Sequence, residues 1–154
     1  MPEVVSIVYT PSPAAPRPQD RYERVPAERV RLVENRGIDG DAKGRPGERQ
    51  INVMCAEALA ELAAEGFQTR PGELGEQIVI AGVPAADLVP GARLQLGAAV
   101  VEVTLPRTGC DRFEFIQGKS KQAVKGRLGV LVRVVTGGEV AVGDAVRVVA
   151  TTAG

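Results

Sequence analysis

The chain has 154 residues, with 19 Lys+Arg balanced by 19 Asp+Glu, no histidine, two cysteines and 3% aromatic residues. A neutral chain so poor in aromatics has neither the long-range field nor the stacking platforms of a nucleic-acid or anionic-membrane binder. The missing histidine excludes Ser-His-Asp triads, Cys-His pairs and imidazole shuttles. Two cysteines cannot build a four-ligand zinc site, a cysteine-held iron–sulfur cluster or a disulfide framework. Any metal must therefore sit among acidic oxygens or arrive in a cofactor that brings most of its own ligands.

The length suits a single domain over 1–154, in which about 70% of the unfolded surface can be buried. The first residues, MPEVVSIVYTPSPAAPRPQD, lack a basic stretch followed by a long apolar one, so no signal peptide or membrane span is expected and the default compartment is cytoplasmic. EVVSIVYT (3–10) has the β-branched run of a strand. PSPAAPRPQDRYERVP carries five prolines and predicts an extended surface loop over 11–27. ERVRLVEN (28–35) alternates Val30 and Leu32 against Arg29 and Arg31, the period of a half-buried strand.

CAEALAELAAEG (55–66) predicts a helix with Leu59, Leu62 and Ala63 on its packed face and Gly66 as its stop. GARLQLGAAVVEVTL and GGEVAVGDAVRVV each read as strand, tight turn, strand, turning at Gly97 and Gly143. They match at a fixed offset (Gly91/Gly137, Gly97/Gly143, Ala99/Ala145, Val100/Val146, Val103/Val149), as an old duplication or, more commonly, two hairpins of one geometry would. DRFEFIQGKSKQAVKG (111–126) has room for one or two short helical turns broken at Gly118. Many short strands with one clear helix predict a mostly β fold, a closed or partly closed β-barrel rather than a βαβ sheet.

Three glycine-rich loops interrupt the strands: NRGIDGDAKGRPGER (35–49), RPGELGEQI (70–78) and LPRTGCDRFEFIQG (105–118). Asp39, Asp41, Lys43, Arg45, Arg49, Glu76, Arg107 and Arg112 lie beside glycines that let backbone approach a ligand. The mixture suits a ligand pocket if the three loops converge on one mouth. Cys55 begins the predicted helix beside Met54 and Ala56 and reads as a packing residue. Cys110 is flanked by Arg107 and Arg112, which favour the thiolate. Glu76 reads either as a proton donor or, more often for a loop carboxylate, as an acceptor of backbone hydrogen bonds.

Taken in order, GIDGDAKGR…RQINVMCAEAL, PGELGEQIVIAGV…LVPGARLQLGAAVVEVT, RTGC and LGVLVRVVTGGEVAVGDAV resemble the MOSC domain, related to the C-terminal domain of molybdenum cofactor sulfurases. The resemblance covers about residues 25–149 and implies a β-barrel of the MOSC type. It also implies one functional cysteine, at Cys110, which ligates molybdenum in members that bind molybdenum cofactor (molybdopterin carrying Mo). Lys43 stands where the family often has His, Gly75-Glu76-Gln77 where many members have Gly-Glu-Asn, and Gly109 where Pro commonly precedes the cysteine.

The resemblance implies a cofactor site of Cys110 with Asp41, Lys43, Arg49, Glu76, Gln77, Arg107, Thr108 and Arg112. One soft thiolate suffices where the cofactor supplies two dithiolene sulfurs, and the arginines and Lys43 suit its phosphate. The chain lacks a dinucleotide fingerprint and the cysteines of an iron–sulfur cluster. An oxidoreductase acting on N-hydroxylated small molecules would therefore draw electrons from a separate reductase. Two alternatives share the same site: a sulfur carrier that receives a persulfide on Cys110 from a donor protein, and a non-catalytic module that binds or delivers cofactor. The family is also associated with pyridoxal phosphate binding. The expected partners are a small-molecule substrate or cofactor, with neither nucleic acid nor membrane.

Overall fold

The computed structural model describes residues 2–11, 25–42, 44–107, 117–118 and 128–149. Its strands in chain order are β1 (Glu3–Tyr9), β2 (Val25–Pro26), β3 (Arg29–Val33), β4 (Gly37–Ile38) and β5 (Ile51–Cys55), followed by helix α1 (Ala56–Ala64). Then come β6 (Ile78–Ala81), β7 (Arg93–Leu96), β8 (Ala99–Pro106), β9 (Val130–Thr136), β10 (Gly138–Ala141) and β11 (Val146–Val148), with a 3-10 turn at Ala85–Asp87. Among the described residues the fold is mostly β with α1 as its one complete helix, as expected. The predicted turns in 111–126 lie outside the described residues, apart from Gln117 and Gly118.

Eight strands form one mixed sheet in the order β11-β7-β8-β9-β5-β6-β1-β2, and a second sheet runs β10-β3-β4. Every pairing in the large sheet is antiparallel except β5 with β6, which are parallel and joined through α1. A parallel pair needs a crossover, and α1 supplies it. One βαβ unit thus sits inside a sheet for which none was expected.

Of the expected closed or partly closed barrel, the fully closed form is not found among the described residues. Continuous pairing ends at β11 on one side and β2 on the other, and β1 meets the β11 end through a bridge between Glu3 and Ala145 and a bond from Val146 N–H to Pro2 O at 3.1 Å. There Val4 N–H donates to Asp144 O at 2.9 Å and Gly143 N–H to Val4 O at 2.8 Å. The small sheet supplies a further wall of the core. Val30, Leu32, Ile38 and Val140 from it share one buried cluster with Val101, Val103, Val132 and Val134 of the large sheet. At about 25 cal/mol per Å² of apolar surface removed from water, burying this face stabilises the fold whether or not the strand ladder closes.

Only the first of the two predicted hairpins exists. β7 and β8 pair across Gly97-Ala98, whereas β10 pairs with β3 and β11 with β7. The Gly143 turn instead carries the chain from one sheet to the other. The two similar segments pack side by side: a Cβ on Gly97 (φ +56°) would lie 2.4 Å from Asp144 Oδ2, so this approach requires glycine. The proline-rich stretch ends as a strand rather than a loop, since Val25 and Pro26 pair with Tyr9 and Val8.

β5 is buried along its whole length because it is covered on both faces. Ile51, Val53 and Cys55 face the main core. Met54, on the other face, joins Leu62, Phe67, Leu74 and Leu128 in a second cluster, against which Leu59 packs. In α1, Leu62 is fully buried and Leu59 partly so, but the predicted Ala63 is exposed, because the helix turns Ala58 toward the sheet instead. Gly66 (φ +95°) follows the cap residue Glu65 and ends the helix as expected.

Cys55 caps the start of α1 through its backbone, is 5% exposed, and places Sγ 3.5 Å from Val83 O. Burial first, then the nearby Glu57 carboxylate, raises its thiol above the ordinary range, so it stays protonated and inert. Cys55→Ala should lower stability by roughly 1 kcal/mol through lost packing and leave ligand binding intact, checked by thermal melts beside a binding measurement. Loss of binding in a normally folded variant would make Cys55 the functional cysteine.

Candidate functional site

The glycine-rich loops over 35–49 and 70–78 converge, and the end of β8 joins them. The first loop is tied down at several points. Thr10 N–H donates to Asp41 Oδ1 at 3.2 Å, and Ala42 N–H donates to Thr10 O at 2.7 Å. Gln50, 1% exposed, donates through Nε2 to Asn35 Oδ1 and Gly47 O, while its Oε1 accepts from Val134 N–H. Asn35 sits in the left-handed region (φ +54°), which Asn tolerates better than most residues. A register shift between Val103 and Leu105 accompanies the bond from the Thr104 hydroxyl to Glu48 O.

Asp41 and Gln77 are the junction of two loops. Gln77 Nε2 donates to Asp41 Oδ2 at 2.7 Å, and Gln77 Oε1 accepts from Asn52 N–H at 3.2 Å. Both side chains are buried. Gln77 N–H in turn donates to Asn52 O at 3.0 Å, so one glutamine fastens the Pro-Gly loop to β5 and the Gly-Asp loop to Gln77 itself. The Gln77 amide thus spends its carbonyl and one N–H within the protein.

Glu76 is fully buried. Its Oε2 accepts from Gly72 N–H at 3.1 Å and its Oε1 from Leu74 N–H at 3.2 Å, the acceptor role anticipated for it. Burial raises its pKa above the usual carboxylate value, and the loop amides and the Arg107 guanidinium only partly reverse this. Arg107 follows β8, donates from its guanidinium to Leu74 O, and donates its backbone N–H to Gly129 O at 3.1 Å. Gly129 (φ +77°) must be glycine, since a Cβ there would lie 2.1 Å from Val53 O. Gln117 fastens the same loop further along, accepting from Gln68 N–H and donating to Gln68 O and Glu73 O.

Asp41, Glu76, Gln77 and Arg107 are therefore brought into one neighbourhood, while Arg49 is exposed beside it on the first loop. Lys43, Thr108, Cys110 and Arg112 lie outside the described residues. Among the described residues no group of three or more His, Cys, Asp or Glu side chains is placed to hold a metal ion, and no helix is long and apolar enough to cross a membrane.

Two residues of the neighbourhood escaped the sequence reading. Gln50 was hidden because a glutamine before a strand carries no chemical signature. Asn52 was hidden inside INVMC, which reads as a strand; only its polar side chain amid apolar neighbours marks it. It is 5% exposed, and neither its Oδ1 nor its Nδ2 has a hydrogen-bond partner among the described residues.

No curated protein matches the chain. Among solved structures it is similar in fold to YiiM from Escherichia coli, at 19% identity and a TM-score of 0.72, covering 99% of this chain and 72% of that one. YiiM from Geobacillus stearothermophilus gives 19% identity and 0.74, covering 97% and 76%. The YUAD protein from Bacillus subtilis gives 19% identity and 0.73, covering 95% and 94%. The sequence model of the MOSC domain matches residues 23–147, nearly the span over which the loops and strands resemble that family, and the chain belongs to the MOSC domain family.

Proposed function

We propose that this protein binds molybdenum cofactor in the neighbourhood of Asp41, Gln77 and Arg107, with the Cys110 thiolate as the protein's ligand to the metal. We further propose that it serves as the terminal site for reduction of N-hydroxylated small molecules. The observation that carries this reading is the convergence of two glycine-rich loops with the end of β8, through the Asp41–Gln77 and Arg107–Leu74 bonds. Cys110 follows three residues after Arg107 in sequence.

The residues fit such a cofactor. Asn52 is a buried amide whose donors and acceptor lack partners among the described residues, which suits a polar heterocycle rather than an apolar ligand. Arg49 and Arg107, joined by Lys43 and Arg112 from the sequence, supply cations for a phosphate, and Arg suits it best because its fork binds two oxygens at once. Cys110 contributes one soft donor, which is all that a metal already held by dithiolene sulfur needs. When bound, the cofactor supplies a redox-active molybdenum; the protein holds, orients and shields it. Electrons come from a separate reductase, since the chain carries no dinucleotide fingerprint.

Protein made in a host that synthesises the cofactor should purify with molybdenum and pterin together, measured by elemental analysis and by fluorescence of the oxidised pterin. A persulfide mass on Cys110 without metal would replace this reading by sulfur carriage, and neither signal would leave a binding module.

A further inference from the structure

We infer that Asn52 is the residue through which this site reads the heterocycle of its ligand. Its buried primary amide faces the adjacent hydrogen-bond donor and acceptor edge of a reduced pterin. The inference rests on the cofactor reading above and assigns a recognition role to a residue inside a β-strand.

Three observations carry it. First, alternation along β5 sends Ile51, Val53 and Cys55 into the main core, so Asn52 shares the opposite face with Met54. On that face Met54 packs with Leu74, the residue whose carbonyl accepts from Arg107. Second, the backbone of Asn52 is held on both edges. Its N–H and C=O are engaged by Gln77, and its register partner across the sheet is Leu131 of β9, opposite Leu105 of β8. The amide is thus mounted on a rigid central strand between the Gln77 junction and the strand that leads to Arg107.

Third, both polar atoms of the side chain are buried without a partner among the described residues. Neighbouring polar side chains are satisfied: Gln77 by Asp41 and Asn52, Glu76 by Gly72 and Leu74, Gln50 by Asn35, Gly47 and Val134. In a protein interior an orphaned donor and acceptor on one side chain is costly and calls for a specific explanation. A planar amide offers one acceptor beside two donors, the same edge with which Asn reads adenine bidentately. A pterin's amino-oxo-pyrimidine ring carries adjacent donors and acceptors that match it.

The test compares wild type with Asn52→Leu and Asn52→Val. Leucine conserves volume and valine suits a strand, so the pair guards against one poorly fitting side chain. Two quantities are read: thermal stability of the apo protein, and retention of molybdopterin on desalting, followed by fluorescence of the oxidised pterin.

Both variants should melt at or above the apo wild type, because an unpaired buried amide has been replaced by an apolar group. Both should retain molybdopterin on the order of 100-fold less well, because the ligand's polar edge then lacks its partner. Retention equal to wild type would overturn the role of Asn52 and leave the cofactor reading standing. Variants that unfold, or melt well below wild type, would show the amide to be satisfied within the fold and would equally overturn it. A wild type that retains no molybdopterin would overturn the cofactor reading, and this assignment with it.

Discussion

Cys110→Ser is expected to fold and melt like the wild type yet purify without molybdenum. Serine is close to cysteine in size, so little packing changes, but its hydroxyl is hard and does not ionise near neutral pH, whereas a molybdenum held by dithiolene sulfur takes a soft thiolate. Even outer-shell partners of a metal are worth roughly 10–100-fold in affinity, so loss of the direct ligand should lower molybdenum content by more than about 100-fold. Arg107 and Arg112 lie three residues before and two after Cys110 in sequence, and a nearby cation lowers a thiol's pKa. Iodoacetamide should therefore label Cys110 in the apo protein well before Cys55, whose thiol is buried and held protonated. Bound cofactor should protect Cys110. A Cys110 that reacts only after denaturation, or a serine variant that keeps its molybdenum, would remove Cys110 from the site.

Glu76→Ala should be the most destabilising single change in the neighbourhood. The glutamate's two oxygens hold the amides of Gly72 and Leu74, and alanine leaves both donors stranded where the carboxylate was fully buried. At about 1–3 kcal/mol for each orphaned buried group, the loss is roughly 3 kcal/mol, or about 6–12 °C in Tm for a chain of this size. The Pro-Gly loop should loosen first, and with it the Leu74 carbonyl that Arg107 grips.

Glu76 also gives a pH signature with a definite sign. Burial raises its pKa in the folded protein above the ordinary glutamate value. Between those two values the folded chain keeps a proton that the unfolded chain has released. Stability from this group is therefore fully present below the ordinary glutamate range and falls as pH rises through the raised value. Against Glu76→Gln, which cannot ionise, the wild type should gain relative stability as pH falls through that window. A wild type that instead loses ground on acidification would mean that the loop amides and Arg107 outweigh desolvation.

Local chemistry was legible in the chain itself. The β-branched and alternating runs marked β1, β3, β7 and β8. Alternation placed Val30 and Leu32 inside with Arg29 and Arg31 outside, and Ala/Leu/Glu content followed by Gly66 bounded α1. These features follow from residue-by-residue preferences over a few positions, which a linear reading can weigh. Loop composition likewise marked Asp41, Glu76 and Arg107 as polar groups beside permissive glycines, and the order of motifs pointed to the MOSC family.

Tertiary structure decided which strand meets which. The GGEVAVGDAVRVV segment has the local pattern of a hairpin, but β10 is taken up by β3 and β11 by β7, so its glycine turn links two sheets instead of closing one. Strand pairing satisfies backbone groups with whatever edge is nearest in space, and no short window records that edge. The β10-β3-β4 sheet, which supplies a further wall of the core, was hidden for the same reason. The working details of the site also came from packing. Gln77 became a junction because Asp41 sits 2.7 Å away across 36 residues of sequence, and Asn52 stands out only because the structure leaves its amide buried and unmatched among the described residues.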